Sequence, residues 1–289
     1  MTIDDLFEYY RELKQHSITK HTLHSNTCSY SKHIAPVFGN REIDTIAYLE
    51  YQKFANKLLD TKKPKTVKNI LSILQSLYTL ANKLDVYNGS NVVKFVELPR
   101  FDNRRYFTLS VELQKRYIKA ILNFDEPIYR DIFLFLLHGR RLSEVLNLRW
   151  EFIDLNNGIM YLPATQNKSK KNLSFELTNI LINRLNLLVD RNKALMRGYI
   201  FINPKTDKPF IDVRRAFKRL LELNKLPKIR IHDIRHLVAT YSINTLNLSV
   251  EYVSHTLGHT DIKTTQRYIN PNPANAKKVI DSVIESVSW

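Results

Sequence analysis

Between Pro64 and Asn88 the chain carries apolar residues at Val67, Ile70, Leu71, Leu74, Tyr78, Ala81 and Leu84. Steps of three and four keep one face of a helix apolar over the whole stretch. Proline fits the first turn, where its missing N–H would have no partner, and Asn88-Gly89-Ser90 stops the run. A stripe this long cannot bury itself, so neighbouring segments must cover it. Ile3, Leu6, Phe7, Tyr10 and Leu13 form a second stripe, with Thr2 as N-cap and acids in the first turn. A further helix is expected over about residues 19–35, ending before Pro36 and Gly39. Another is expected over about 44–59, with Ile46, Leu49, Phe54 and Leu58 as core. Residues 1–95 therefore read as a four-helix module without a strand.

Charge narrows the partner. Lys plus Arg number 44 against 28 Asp plus Glu, a formal net charge of +16. A polyanion is the natural ligand, because lysine and arginine that neutralise phosphates release condensed counterions. Lys62, Lys63, Lys65 and Lys68 crowd the start of the long helix, where helix polarity also favours phosphate. No apolar run approaches the roughly 20 residues of a membrane span. The opening MTIDDLFEYY is acidic and amphipathic, unlike a secretory signal, so the expected location is cytoplasmic. One cysteine, Cys28, excludes an intramolecular disulfide framework and a multi-cysteine metal site.

Residues 96–107, VELPRFDNRRYF, break the helical pattern at Pro99 and bring Arg100, Arg104 and Arg105 together. They read either as a basic interdomain linker lying along a DNA backbone or as an ordered surface loop. A second domain, 108–289, follows. Thr108 or Ser110 caps a helix to about Leu122, and residues 127–138 form a buried helix that Gly139 interrupts. A helix over Ser143–Leu148, strands at Ile159–Leu162 and Asn172–Leu177, and a helix over 178–196 come next. A basic helix covers about 211–224, and two or three short helices follow Ile231. The tail, 274–287, sets Val279, Ile280, Val283, Ile284 and Val287 on one face. The expected fold is mainly α with a small antiparallel β element.

Ile231–Asn270 concentrates the chemistry. His232 and Arg235 lie one helical turn apart, His259 follows a Leu-Gly pair, and Tyr268 stands nine residues on. Breaking a phosphodiester requires a nucleophile, fixed positive donors for the non-bridging oxygens, and a proton for the leaving oxygen. Arginine grips phosphate bidentately and stays charged, and tyrosine attack leaves a covalent phosphoester. His255 and His259 have a spacing that binds zinc on one helix, but Gly258 interrupts that helix and no glutamate follows His255. No metal is expected.

Four segments together resemble the tyrosine recombinases, or phage integrase family, in a two-domain, Xer-like arrangement. HGRRLSEVLNLRW (138–150) is similar to the first arginine box, which places the catalytic arginine at Arg141. KSKKNLSFEL (168–177) is similar to the β-hairpin segment, with Lys168 as the catalytic lysine and Lys170 and Lys171 as competitors. HDIRH (232–236) matches the His-x-x-Arg box at His232 and Arg235, and LGHTDIKTTQRYIN (257–270) the last box, with His259 and Tyr268. Two positions depart: Asn247 stands where relatives usually have glycine, and Arg140 where they often carry an apolar residue.

The resemblance implies a core-binding N-terminal domain and a mixed α/β catalytic domain. It implies that Tyr268 attacks phosphorus, giving a 3′-phosphotyrosyl link and a free 5′-hydroxyl. Arg141 and Arg235 clamp the phosphate, Lys168 protonates the leaving oxygen, His232 is a general acid/base, and His259 bonds the phosphate. No cofactor, metal or ATP is required. The implied partners are double-stranded DNA with a specific site, further copies making a tetramer on two sites, and an accessory protein. The tail helix would dock in trans on a neighbour or in cis on its own domain. The implied role is chromosome dimer resolution or mobile-element integration and excision. A DNA-binding protein without turnover and a type IB topoisomerase-like relaxing enzyme are the competing readings.

Overall fold

The first helix, α1 (Ile3–Lys14), begins as its cap residues require. The Thr2 hydroxyl accepts from the Asp5 N–H at 3.1 Å, and the Asp5 carboxylate accepts from the Thr2 N–H at 3.0 Å. The computed structural model describes residues 1–100, 109–167, 170–192, 197–269 and 284–285. The chain divides into two units, residues 1–103 and 104–289, each with its own core.

In the first unit α1 is followed by α2 (Lys20–Ser29), α3 (Ala35–Phe38), α4 (Tyr48–Leu59) and α5 (Pro64–Lys83). The long helix α5 buries Val67, Ile70, Leu71, Leu74, Leu77, Tyr78 and Ala81 against α1, α4 and the α2–α3 rod. Tyr51 and Tyr78 are fully buried with their hydroxyls 3.2 Å apart, and Tyr78 also donates to the Ile43 carbonyl at 3.1 Å. Burial of two phenols is tolerable because both hydroxyls are satisfied.

Three expectations for this unit need correction. The second helix does not stop before Pro36. It widens into a π-turn, Tyr30–Ile34, in which the Ala35 N–H reaches the Tyr30 carbonyl, and continues as α3. The widened turn accommodates a residue with no N–H, so Pro36 sits at the start of a new helical segment. Leu49 is 57% exposed rather than core, since it lies on the outer side of α4. Leu84 and Leu13 are exposed too, at the ends of their stripes.

In the second unit Ser110 caps α6 (Val111–Leu122), its hydroxyl accepting from the Leu113 N–H at 3.2 Å. Pro127 opens the apolar α7 (Pro127–Leu137), which buries Ile132 to Leu136 without a break. Gly139, at φ +79°, turns the chain into the short α8 (Leu142–Leu146). A three-stranded antiparallel sheet follows: β1 (Ile153–Asp154), β2 (Ile159–Leu162) and β3 (Leu173–Glu176), with Met160 opposite Phe175 and Leu162 opposite Leu173. Asn156-Asn157-Gly158 makes the first turn, its glycine at φ +63°.

Helix α9 (Asn179–Asn192) is tied to α7 by a pair between Arg184 and the buried Asp131, 2.6 Å apart. Sequence patterning missed the small hairpin of β4 (Ile202–Asn203) and β5 (Lys208–Pro209), whose strands are too short to alternate. Helices α10 (Arg214–Leu223), α11 (Asp233–Asn244), α12 (Val250–Leu257) and α13 (Lys263–Gln266) complete the unit. No helix among the described residues is long and apolar enough to cross a membrane.

Candidate active site

Three turns bring the chemistry-bearing residues to one place. The turn at Gly139 puts Arg141 at the N-cap of α8, where the Glu144 carboxylate accepts from the Arg141 N–H at 2.9 Å and from its Nη1 at 2.7 Å. Glu144 is 3% exposed, so this is not a solvated surface pair: a buried carboxylate aims the guanidinium. His232 leads into α11, which carries Arg235 and His236 in its first turns. Asn247, at φ +53°, takes the left-handed conformation between α11 and α12 that its side chain tolerates. Gly258, at φ +65° and ψ +41°, then ends α12 and swings His259 back toward α11, while α13 returns the chain to Tyr268.

Arg235 is buried and bonded on two sides, to the Gly139 carbonyl and to the Leu257 carbonyl at 2.6 Å. Burial, and then the nearby charge of Arg141, pull its pKa down to about 10. Two guanidinium groups thus lie within electrostatic reach of each other and of a single carboxylate, Glu144, an excess of positive charge that suits an anion. His259 accepts from or donates to the Thr265 hydroxyl through Nδ1 at 2.7 Å, with Thr265 fully buried. Loss of hydration, then Arg235 and Arg141, hold His259 down at about 4, so the ring is neutral near pH 7.

The Tyr268 ring stacks on His259, centroids 6.4 Å apart and planes 13° from parallel, and meets His236 edge-on at 5.2 Å. His236 in turn meets His232 at 5.4 Å. The Tyr268 carbonyl accepts from Asn244 Nδ2 at 2.8 Å, and the ring packs against Ala239, Val253 and Leu257. Burial raises the phenol pKa, while Arg235 and Arg141 act to lower it. His232 is lowered chiefly by lost hydration, with Arg235 next.

Arg141, His232, Arg235, His259 and Tyr268 are thus brought within electrostatic reach of one another. Lys168 lies outside the described residues. Its neighbour Asn167 pins the hairpin connection by donating to the Pro163 and Lys171 carbonyls, both at 2.8 Å. Arg104 and Arg105 also lie outside the described residues. Lys63, Lys65 and Lys68 are exposed around the N-terminus of α5, and Lys62, like Lys32, lies close enough to His33 to lower its pKa, after burial. Arg100 is exposed at the end of the first unit. Sequence reading missed His236 and Thr265 as supports of the site, and it pairs Glu144 with Arg141 only as a surface ion pair, whereas the carboxylate is buried. His236 left a signal in its four-residue spacing from His232 on one helical face.

Residues 112–275, more than half the chain, match the Phage integrase family, and residues 2–59 match the Phage integrase, N-terminal SAM-like domain. The chain belongs to the phage integrase family of tyrosine recombinases, enzymes that break and rejoin DNA. A shufflon-specific DNA recombinase of Escherichia coli is 23% identical over 79% of this chain, and the match spans 59% of that protein. A probable integrase/recombinase of Methanocaldococcus jannaschii is 28% identical over 76% of this chain and 71% of its own length. Among solved structures, a Tn1549 transposon integrase bound to a circular intermediate DNA superposes with a TM-score of 0.74 at 16% identity, covering 98% of this chain and 99% of the other. A lambda integrase tetramer bound to a Holliday junction gives 0.71 at 18% identity, covering 93% of this chain and 78% of the other. At these identities the likeness to the solved structures is one of fold.

Proposed function

We propose that the protein recombines DNA at specific sites through a 3′-phosphotyrosyl intermediate on Tyr268. The observation that carries this reading is the pair of guanidiniums, Arg141 and Arg235, sharing one buried carboxylate, Glu144, beside a tyrosine and a neutral histidine. The Tyr268 hydroxyl attacks phosphorus and the bond to the 5′-oxygen breaks. The phenolic proton passes to His232, which is neutral and able to accept it, and the 5′-oxygen takes its proton from Lys168. Arg141 and Arg235 hold the two non-bridging oxygens as charge builds on them. His259, with Thr265 bonded at Nδ1, offers Nε2 to the phosphate. A 5′-hydroxyl from a partner strand then attacks the phosphotyrosine and frees Tyr268, so the phosphodiester energy is conserved without ATP.

In this reading residues 1–95 grip the DNA core site, with Lys62, Lys63, Lys65, Lys68, Arg100, Arg104 and Arg105 on phosphates. Residues 96–107 are the linker and 108–289 the catalytic domain. Four copies assemble on two sites, as the tetramer of lambda integrase on a Holliday junction supports. The setting is the cytoplasm, and the role is chromosome dimer resolution or the movement of a mobile element.

The test begins with a DNA site selected from a random pool by binding. That site is converted to a nicked suicide substrate, incubated in EDTA, and run on a denaturing gel. A covalent adduct with the native protein and none with Tyr268→Phe is the expected result. An adduct of equal yield in Tyr268→Phe would remove the nucleophile from Tyr268. No adduct on a bound site would favour a binding protein without turnover, and relaxation unconfined to the site a topoisomerase-like enzyme.

A further inference from the structure

Arg140 places a second arginine beside Arg141, and its surroundings are unlike those of its neighbour. The residue is 3% exposed, and among the described residues no carboxylate forms an ion pair with it. Its guanidinium lies on the Phe175 ring of β3, with Cζ 3.4 Å from the centroid. It donates to the Thr256 carbonyl in the last turn of α12, and through Nε to the His138 carbonyl at 3.3 Å. Arg235 takes the next carbonyl, that of Leu257. Two buried guanidiniums therefore cap consecutive carbonyls at a helix C-terminus, where the helix itself supplies no N–H and carries partial negative charge.

Three pieces of backbone close on this point. A Cβ on Gly139 would stand 2.8 Å from Leu257 Cδ2, and one on Gly258 would stand 3.2 Å from Phe175 Cζ and 3.3 Å from Leu173 Cδ1. Strand β3, the 138–141 segment and the 256–259 turn thus approach closely around Arg140, with a positive-φ glycine on two sides. An apolar side chain would cover Phe175 but could not bond Thr256. Only a long, flat donor does both. Losing the donors takes a partner from the Thr256 and His138 carbonyls, so some stability is lost with the arginine.

We propose that Arg140 is a positioning residue that ties the β2–β3 hairpin to the turn carrying His259, so that the hairpin and the nucleophile side of the site move as one piece. This rests on the function proposed above. By sequence Lys168 falls in the β2–β3 connection, outside the described residues, and the 256–259 turn carries His259, whose ring stacks on Tyr268. A joint at Arg140 keeps proton donor and nucleophile in register when DNA enters.

The test compares native protein with Arg140→Met, Phe175→Leu and the double variant. Methionine keeps the long unbranched stem without the donors. Expected for Arg140→Met are a thermal midpoint lowered by a few degrees at most and site binding within about threefold of native. At saturating DNA its adduct rate should fall about tenfold, a cost typical of misplaced reacting groups. The Gly258 and His259 amides, bonded to the His255 and Ser254 carbonyls at 2.8 and 3.0 Å, should exchange faster in the free protein. The double variant should be no slower than the slower single one, since both break the same joint.

An unchanged rate would overturn the proposal. So would a rate that falls only in step with binding or thermal midpoint, or slowdowns that multiply. Should native protein form no adduct at all, the proposed function fails instead. Amide exchange then judges Arg140 by itself: unchanged exchange at Gly258 and His259 overturns the joint.

Discussion

At His259 the protein enforces a neutral imidazole, and the same pressure acts on its neighbours. Lost hydration comes first among the causes at His138, His232, His236 and His259, and arginine charge adds to it at each. A folded-state pKa below the unfolded value of about 6.5 means that the unfolded chain binds protons the folded chain refuses. The stability these residues contribute is therefore complete above about pH 6.5 and is lost as pH falls through the window toward the His259 value of about 4. We expect the thermal midpoint of the catalytic unit to drop by several degrees between pH 7.5 and pH 5 at fixed salt. Carboxylates do not explain a loss in that range: Glu151, held at about 2 by Arg149, gives up its share only below its ordinary value of 4.5. A midpoint that stays level across the window would show that the histidines are not desolvated as described.

Helix ends, more than helix bodies, place the site, and they differ in how far sequence reveals them. Gly258 combines a left-handed φ with a close approach of Phe175 and Leu173, so Gly258→Ala should cost about 1–3 kcal/mol of stability, measured by urea unfolding. Asn247→Gly should be neutral or stabilising by up to about 0.5 kcal/mol, since it removes the Cβ from a φ of +53°. A loss at Asn247 comparable to that at Gly258 would assign it a side-chain role. Both turns were legible in the sequence because their chemistry is local, as were α1, α5, α6 and α7, whose long apolar periods leave one solution. Leu49 was not, because its burial depends on which side of α4 meets α5, a tertiary fact. Pro36 misled because a π-turn is set by backbone geometry that no residue type announces. The order of Arg141, His232, Arg235, His259 and Tyr268 was readable through family resemblance; Glu144 and Thr265 stand only three and six residues from Arg141 and His259, but their burial, which makes the two contacts more than surface pairs, is a tertiary fact.

Across the whole molecule the dominant quantity is the net charge of +16. Copies of such a chain repel one another in solution, and phosphates that neutralise their basic faces remove that repulsion. Assembly is therefore expected on DNA rather than before it, and any segment that joins protomers should act only there. The segment whose sequence suits that is 274–287, which apart from 284–285 lies outside the described residues; there Val279, Ile280, Val283, Ile284 and Val287 recur at helical spacing. If a neighbouring protomer covers those apolar residues, deleting 274–289 leaves the grip of one copy on one site nearly intact and weakens the joining of two occupied sites. Gel shifts on DNA carrying one site and two sites, at matched salt, separate these effects. We expect single-site affinity within about threefold and paired-site assembly reduced by tenfold or more, the loss of an intramolecular advantage once copies share one DNA. Equal losses on both substrates would place the tail on its own domain, as a lid on that domain's core, and would move the contacts between copies to another surface.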